Sequence, residues 1–159
     1  MKKIFVLLIG LVFFQVNIFA QQSVSIIPQP VSLKVKEGDF LLDNSTGLKF
    51  NVADKNLKMA ADYFFAAFKN ISGYSLFQNT AAKKNIEFKI AKTNAIGEEG
   101  YLLNVTPDAI TLVANTKAGI IYGIQSLLQT LPAIRTNALL KVPCMQVLDY
   151  PRFKYRGMH

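Results

Sequence analysis

Apolar and polar residues alternate with two different periods along this chain, and the periods predict strands and helices in turn. A period of two is typical of a strand buried on one face. It first occurs over residues 31–36, where Val, Leu and Val alternate with Ser and Lys. Gly38 and Asp39 predict a turn, and residues 40–42 and 48–52 predict two more short strands.

A helical period follows between Asp54 and Gly73. Asp54 is expected to cap the start of this helix and Gly73 to end it. An aromatic stripe on one helix face could suggest a binding surface, but its register with aliphatic residues favours a core. The stripe consists of Leu57, Ala60, Ala61, Phe64, Phe65, Phe68 and Ile71.

Alternation returns in the second half of the chain, over residues 86–90, 101–105 and 110–112. The turn at residues 106–109 has Pro at its second position, which favours a hairpin between the last two of these strands. This half therefore repeats the order of the first half, with three predicted strands ahead of a helix.

A second helix is predicted over residues 117–131, with Asn115 or Thr116 as its N-cap. Gly119 and Gly123 lie one turn apart on it and would allow close approach to a sheet. The same spacing is a membrane dimer signal only inside a long apolar segment, which this helix is not.

The predicted order is three strands, a helix, three strands and a helix, which indicates an α+β fold. We expect a two-layer sandwich in which a mostly antiparallel sheet carries both helices on one face. Residues 139–148 are apolar but contain Pro143, which favours an extended linker or an edge strand. Residues 149–159 are dense in aromatic and basic residues. Since a domain rarely ends on such a segment, we expect a truncated reading frame.

The N-terminal residues 1–20 resemble an export signal. Lys2 and Lys3 precede an unbroken apolar run over residues 4–14, and Ala20 supplies a small residue at the expected cleavage site. The alternative is an N-terminal membrane anchor, but the run is too short to span a bilayer. An exported location, in the periplasm or at the cell surface, is the prediction, with no membrane span after signal removal.

Composition and charge exclude several classes of protein. The 159 residues are 51% hydrophobic with one Cys, which excludes a disordered chain and a disulfide scaffold. The net charge of +8 falls to +6 without Lys2 and Lys3, and no run of basic residues exceeds Lys83-Lys84. We therefore expect no nucleic-acid partner.

Catalytic and metal-binding constellations are absent from the sequence. The single histidine is His159, and Cys144 lies between Pro143 and Met145, a context typical of a small apolar filler. No metal site and no nucleophilic triad can be assembled from these residues. Glu98 and Glu99 are adjacent in a predicted loop, where their side chains should diverge into solvent.

Four segments of the chain resemble the start of a glycoside hydrolase family 20 enzyme, a β-N-acetylhexosaminidase. The third segment, with its Ala-Gly and Tyr-Gly pairs, is specific for this family. Its occurrence upstream of the fourth segment is more specific still. The segments are Ile27-Pro28-Gln29-Pro30, Gly100-Tyr101, residues 114–131 (ANTKAGIIYGIQSLLQTL) and residues 149–157 (DYPRFKYRG).

The resemblance implies a noncatalytic N-terminal α+β domain over residues 21–147. Residues 148–159 would begin a truncated catalytic (β/α)8 barrel and lead into its first strand. The family hydrolyses glycosides with retention, assisted by the 2-acetamido group of the substrate. The Asp-Glu pair that this chemistry needs belongs to a later barrel strand, so no catalytic residue is expected in this chain. The resemblance also implies no cofactor.

One substrate-binding residue carries over from the family, Arg156 in the Tyr-Arg-Gly triplet. Its guanidinium fork could donate to two neighbouring hydroxyls of the terminal sugar. The alternative for Arg156 is an ion pair with a carboxylate of the barrel core. Arg152 is expected to form a structural ion pair at the domain junction, and Tyr155 to pack outward.

The predicted function is the N-terminal part of an exported bacterial enzyme that removes terminal N-acetylglucosamine or N-acetylgalactosamine from oligosaccharides or glycoconjugates. The chain alone is expected to be inactive. The alternative is a stand-alone noncatalytic carbohydrate-binding or scaffold module. A family relative that acts on lacto-N-biose or sulfated sugars would differ only in the barrel, and the sequence leaves the oligomeric state open.

Overall fold

A computed structural model describes residues 24–133 and 139–153, which form one sheet covered on one face by two helices. The strands are β1 (Ser32–Leu42), β2 (Gly47–Lys49), β3 (Phe77–Gln78), β4 (Asn85–Ile90), β5 (Tyr101–Val105), β6 (Ala109–Ala114) and β7 (Leu140–Asp149). The helices are α1 (Lys55–Ser72) and α2 (Lys117–Gln129).

The sheet is mixed, and the expectation of a mostly antiparallel sheet is wrong. The described strands lie in the order β1-β7-β5-β6-β4-β2-β3. The pairs β1/β7, β7/β5 and β5/β6 are antiparallel, whereas β6/β4, β4/β2 and β2/β3 are parallel. For β2, β3 and β4 the physical reason is connectivity, since α1 carries the chain back along the sheet between β2 and the next two strands, and such a crossover joins parallel strands.

The core lies between the sheet and the two helices, as the α+β sandwich prediction requires. Side chains from every second position of β4, β5 and β6 face the helices and are almost completely buried. The largest of the fully buried side chains in this core are Phe40, Phe64, Phe68, Phe88, Leu42, Leu48, Ile86, Leu103, Ile110, Leu112 and Ile120.

Helix α1 confirms its predicted signals. The Asp54 side chain accepts hydrogen bonds from the backbone N–H groups of Asn56 and Leu57, at 2.8 and 3.3 Å. Gly73 ends the helix in the left-handed conformation with φ 81°. Phe64 and Phe68 are fully buried, so the aromatic stripe is core.

Helix α2 begins where predicted and ends two residues earlier, at Gln129. Thr116 is the N-cap residue, but its hydroxyl does not cap the helix and instead donates to the carbonyl of Glu98 at 2.6 Å. The glycines allow the close approach that their spacing predicts. A Cβ at Gly119 would lie 2.2 Å from the carbonyl oxygen of Gly100, and one at Gly123 would lie 2.2 Å from a methyl of Leu112.

Strand β1 corrects the prediction of two strands separated by a turn. Gly38 and Asp39 lie within one continuous strand, at a register shift between Val35 and Asp39 that marks a β-bulge. Gly38 has φ 91°, which the bulge accommodates because glycine adopts positive φ without strain. Of the face expected to be buried, Val31 and Val35 are 37% and 36% exposed and Leu33 is partly buried, whereas Phe40 and Leu42 later in the strand are fully buried.

Strand β7 corrects the prediction of a linker or edge strand. It lies inside the sheet, paired with β1 on one side and β5 on the other. Pro143 is tolerated because it lies opposite Asp39, where the register shift of β1 interrupts the ladder and no donor is needed.

Several predictions fall outside the described residues, namely the export signal over residues 1–20, the first barrel strand, Tyr155, Arg156 and His159. Among the described residues, neither helix combines the length and apolar character that crossing a membrane requires.

Candidate functional site

A cleft of about 640 Å³ lies at one end of the molecule, beside the outer face of α2. All four segments that carry the family resemblance line it, although they are far apart in the sequence. They contribute Ile27, Pro28 and Gln29 from the first, Tyr101 from the second, Tyr122, Gln125, Ser126 and Gln129 from the third, and Asp149, Tyr150, Pro151 and Arg152 from the fourth.

The N-terminal wall of the cleft is fixed by two side chains. The Gln129 side-chain oxygen accepts from the N–H of Ile27 at 2.8 Å, and its amide donates back to the carbonyl of Ile27 at 3.0 Å. Asp149, the last residue of β7, accepts from the N–H of Val31 at 3.2 Å. These bonds join the segment before β1 to both α2 and β7, so three sequence regions form one wall.

The floor of the cleft contains a buried polar pair. The hydroxyls of Tyr101 and Ser126 lie 2.6 Å apart and share a hydrogen bond between β5 and α2. Burial raises the pKa of Tyr101 to about 12; the Ser126 hydrogen bond opposes this shift and the nearby Asp149 carboxylate adds to it. Tyr101 is therefore a neutral hydroxyl at physiological pH and ties the sheet to the helix.

The outer face of α2 supplies a stripe of exposed side chains along the cleft. Tyr122, Gln125 and Gln129 follow one another at spacings of three and four, which places them on one helix face. The amide of Gln125 donates to the hydroxyl of Tyr63, which projects from α1. This hydrogen bond links the stripe of α2 to α1.

A second groove of about 580 Å³ adjoins the cleft and shares Glu99, Tyr150 and Pro151 with it. Its loop, residues 95–99, is fixed by Asn115, whose amide donates to the carbonyls of Thr93 and Gly97 at 2.7 and 2.6 Å. This arrangement provides structural support, since Asn115, just before α2, holds the loop in place.

The chemistry of the cleft is that of binding and positioning. Glu98 is exposed and Glu99 half-buried in the second groove. No cluster of three or more His, Cys, Asp or Glu residues in the described ranges is arranged to hold a metal ion. Cys144 is buried, as expected of a small apolar filler, and burial raises the pKa of its thiol.

The predicted site residues have different outcomes. Arg156 lies outside the described residues, and its substrate role stays a prediction. Arg152 lines the cleft and is exposed, and it forms no ion pair with a carboxylate of the described residues. Sequence reasoning missed Tyr122 and Gln129. The signal that could have found them is their common spacing on the polar face of a helix whose other face is core.

Comparison with known proteins gives a consistent result. The family model described as glycosyl hydrolase family 20, domain 2, matches residues 23–150. A β-N-acetylhexosaminidase of Cellulomonas fimi is 28% identical over 141 residues, which are 85% of this chain and 28% of that protein. The chain spans between 15% and 28% of the length of the curated relatives that it matches.

Solved structures share the fold. The GH20 β-N-acetylhexosaminidase from Streptomyces coelicolor A3(2) superposes with a TM-score of 0.75 at 24% identity, covering 82% of this chain and 27% of that one. A mutant Streptomyces plicatus β-hexosaminidase in complex with the product GlcNAc superposes with a TM-score of 0.74 at 24% identity, with the same coverage of 82% and 27%.

Proposed function

The chain belongs to glycosyl hydrolase family 20, and from this membership we propose that it is the N-terminal part of an exported β-N-acetylhexosaminidase. One observation carries the proposal: the four segments that resemble the family converge on a single cleft within a domain that matches the family's domain 2. The chain supplies the accessory α+β domain, and the residues after β7 lead toward the catalytic barrel.

The proposed reaction is removal of a terminal N-acetylglucosamine or N-acetylgalactosamine from a glycan. In the family mechanism the 2-acetamido oxygen of the sugar attacks the anomeric carbon, an Asp orients that group, and the neighbouring Glu protonates the leaving oxygen. The Asp-Glu pair belongs to the barrel beyond this chain. The relative crystallised with GlcNAc supports this choice of sugar.

Arg156 is the residue of this chain that we assign to the substrate. A planar guanidinium can donate two parallel hydrogen bonds, which fix the orientation of two ring hydroxyls. Lysine offers the same charge without the fork. The role of Arg156 therefore depends on its geometry as well as its charge.

The stand-alone binding or scaffold module is the weaker candidate. A module would be expected to cover its large apolar side chains, whereas Tyr150 at the cleft and Phe153 at the second groove are 39% and 72% exposed. The cleft also lacks the catalytic pair, so the domain itself is proposed to act through the barrel that follows.

The test is an assay of the complete reading frame that encodes this domain. We expect the product to release 4-nitrophenol from 4-nitrophenyl N-acetyl-β-glucosaminide, and the 159-residue chain alone to release none. Arg156→Lys should lower kcat/KM by about 10- to 100-fold, the loss expected for one charge-assisted hydrogen bond. Arg152→Lys is the matched control, because Arg152 is predicted to have a structural role and not to contact the substrate.

Two results would contradict the proposal. A complete gene product that folds but hydrolyses no N-acetylhexosaminide would exclude the proposed activity. Submillimolar affinity of residues 21–159 for N-acetylglucosamine would favour the binding module, since one arginine without a pocket should remain solvated.

A further inference from the structure

We propose that Asp149 is a positioning residue for Arg156, because it fixes the direction in which the chain leaves β7. Asp149 is the last residue of β7 and precedes Arg156 by seven residues. This inference rests on the proposed function and adds to it a residue that acts through Arg156 and not on the substrate itself.

Two contacts hold the backbone of Asp149. It pairs with Tyr101 in the antiparallel register of β5 and β7. A Cβ at Gly100 would lie 2.8 Å from the carbonyl oxygen of Asp149, so the absence of a side chain at Gly100 allows this close approach. The Tyr101 hydroxyl in turn shares a hydrogen bond with Ser126 of α2. The end of β7 is therefore tied to the sheet and, through Tyr101, to the helix.

The side chain of Asp149 ties the same point to the N-terminal segment. Its Oδ1 accepts a hydrogen bond from the Val31 N–H at 3.2 Å. The segment that carries Val31 is itself anchored to α2, because Gln129 makes two hydrogen bonds with the backbone of Ile27. Val31 directly precedes β1, which pairs with β7 on the side opposite to β5. Asp149 is thus held from both neighbouring strands.

The chain beyond Asp149 has little freedom to change direction. Pro151 fixes its own φ at about −65° and disfavours helical conformations of Tyr150 before it. The structure describes this path as far as Phe153, and Arg156 follows three residues later, a reach of at most about 11 Å. A change of direction at Asp149 would therefore be carried to Arg156.

This role also accounts for the convergence of the four segments that resemble the family. Ile27 and Gln129 anchor the N-terminal segment, and Gly100 and Tyr101 admit and pair Asp149. All four segments thereby hold the start of the path that leads to the proposed substrate residue. An arginine that is held in place loses less conformational freedom when it binds a sugar.

A double-mutant cycle in the product of the complete reading frame tests this role. Asp149→Ala removes the acceptor for Val31, whereas Asp149→Asn keeps an acceptor oxygen and removes the charge. Asp149→Ala is also made in an Arg156→Ala background. The matched control is Asp108→Ala, at an exposed position beyond the other end of β5. Circular dichroism and thermal unfolding would confirm that each variant folds.

We expect Asp149→Ala to lower kcat/KM for 4-nitrophenyl N-acetyl-β-glucosaminide by about tenfold, because the guanidinium is misplaced. The loss should come chiefly from a higher KM, since Arg156 binds the sugar in the ground state as well as in the transition state. Asp149→Asn and Asp108→Ala should stay within about twofold of the native enzyme. In the Arg156→Ala background, Asp149→Ala should cost less than about twofold, because the residue through which it acts is gone.

Three kinetic results would overturn the proposal. The first is an Asp149→Ala enzyme with native kinetics. The second is an equal loss in Asp149→Asn, which would assign the effect to the charge and not to the bond with Val31. The third is a tenfold loss that persists in the Arg156→Ala background, because Asp149 would then act independently of Arg156.

A spin label separates this proposal from the proposed function. In the 159-residue chain with Cys144→Ala, a nitroxide is attached at the exit from β7 through Phe153→Cys. Gln146→Cys, at an exposed position within β7, carries the control label. Asp149→Ala should raise the nitroxide mobility at Phe153→Cys and leave it unchanged at Gln146→Cys, while Asp149→Asn changes neither.

The two failures are distinguishable. Unchanged mobility at Phe153→Cys in the Asp149→Ala chain would overturn the proposal, even if the native enzyme is active. An inactive native enzyme would overturn the proposed function and with it the substrate role of Arg156, while the mobility would still show whether Asp149 fixes the exit from β7.

Discussion

The two helices cover the same face of the sheet by opposite means. Helix α1 fills the space beneath it with aromatic rings, since Phe64 contacts Phe68 at 5.8 Å and Phe88 at 5.6 Å between ring centroids. Helix α2 lies close to the sheet, because Gly119 faces the backbone of Gly100 and Gly123 faces Leu112, and a Cβ at either position would make a short contact. Large aromatic side chains pack α1 against the sheet, whereas glycines allow α2 to approach it closely.

This difference separates packing from function. The large side chains of α1 keep its axis away from the sheet, and the buried face of α1 contributes mainly to the core. A helix pressed against the sheet brings its outer face close to the strand ends, and α2 thereby forms the cleft with β5 and β7. The spacing of Gly119 and Gly123, which resembles the G-x-x-x-G motif of membrane helices, is explained here by the close approach of α2 to the sheet.

The largest expected effect on stability concerns the aromatic packing of α1. Phe64→Ala should lower the free energy of unfolding by about 3–5 kcal/mol, because it removes a fully buried ring and two aromatic contacts. Urea unfolding followed by circular dichroism measures this. Met59→Ala, at an exposed position of the same helix, is the control and should change stability by less than about 1 kcal/mol. Similar losses for the two variants would show that α1 is not held by its aromatic face.

The same contrast explains which parts of the fold the sequence could predict. Helix α1 was predicted with its cap, its end and its core face, because Asp54, Gly73 and the apolar stripe act locally. The hairpin of β5 and β6 was predicted for the same reason, since its turn closes within four residues, with the Thr106 N–H donating to the carbonyl of Ala109.

Predictions that depended on distant partners were less successful. Gly38 and Pro143 each read as an interruption when taken alone, whereas in the sheet they belong to one irregularity that β1 and β7 share. The mixed sheet order likewise depends on strand pairing that no local pattern specifies. The cleft could be anticipated only through the resemblance, because its four segments meet by tertiary contact.

The two glycines of α2 should differ in how much an alanine substitution destabilises the domain. Gly119→Ala should destabilise the domain by about 3 kcal/mol, because its Cβ would clash with the backbone oxygen of Gly100, which cannot move without the strand. Gly123→Ala should cost less, because the clash there is with the methyl end of Leu112, which can change rotamer, and because alanine favours a helix. Thermal unfolding of both variants measures the difference. If the two substitutions cost the same, backbone contact is not what places α2 on the sheet.

The smallest effect concerns the bond that joins α2 to β5, and it depends on pH. Tyr101→Phe should cost about 1 kcal/mol at pH 7, since Ser126 loses its hydrogen-bond partner. The pKa of Tyr101 is about 12 in the folded chain, above the value of 10.0 for an unperturbed tyrosine. Above pH 10 the unfolded state releases this proton first, so the stability that Tyr101 contributes is lost as the pH rises from 10 toward 12.

Urea unfolding at pH 7 and at pH 11 should therefore show the variant approaching the native chain in stability. Ser126→Ala is the control, because it breaks the same bond and keeps the buried tyrosine, and its alkaline loss should persist. A constant difference between Tyr101→Phe and the native chain at both pH values would mean that this hydroxyl titrates in the folded chain as it does in the unfolded one.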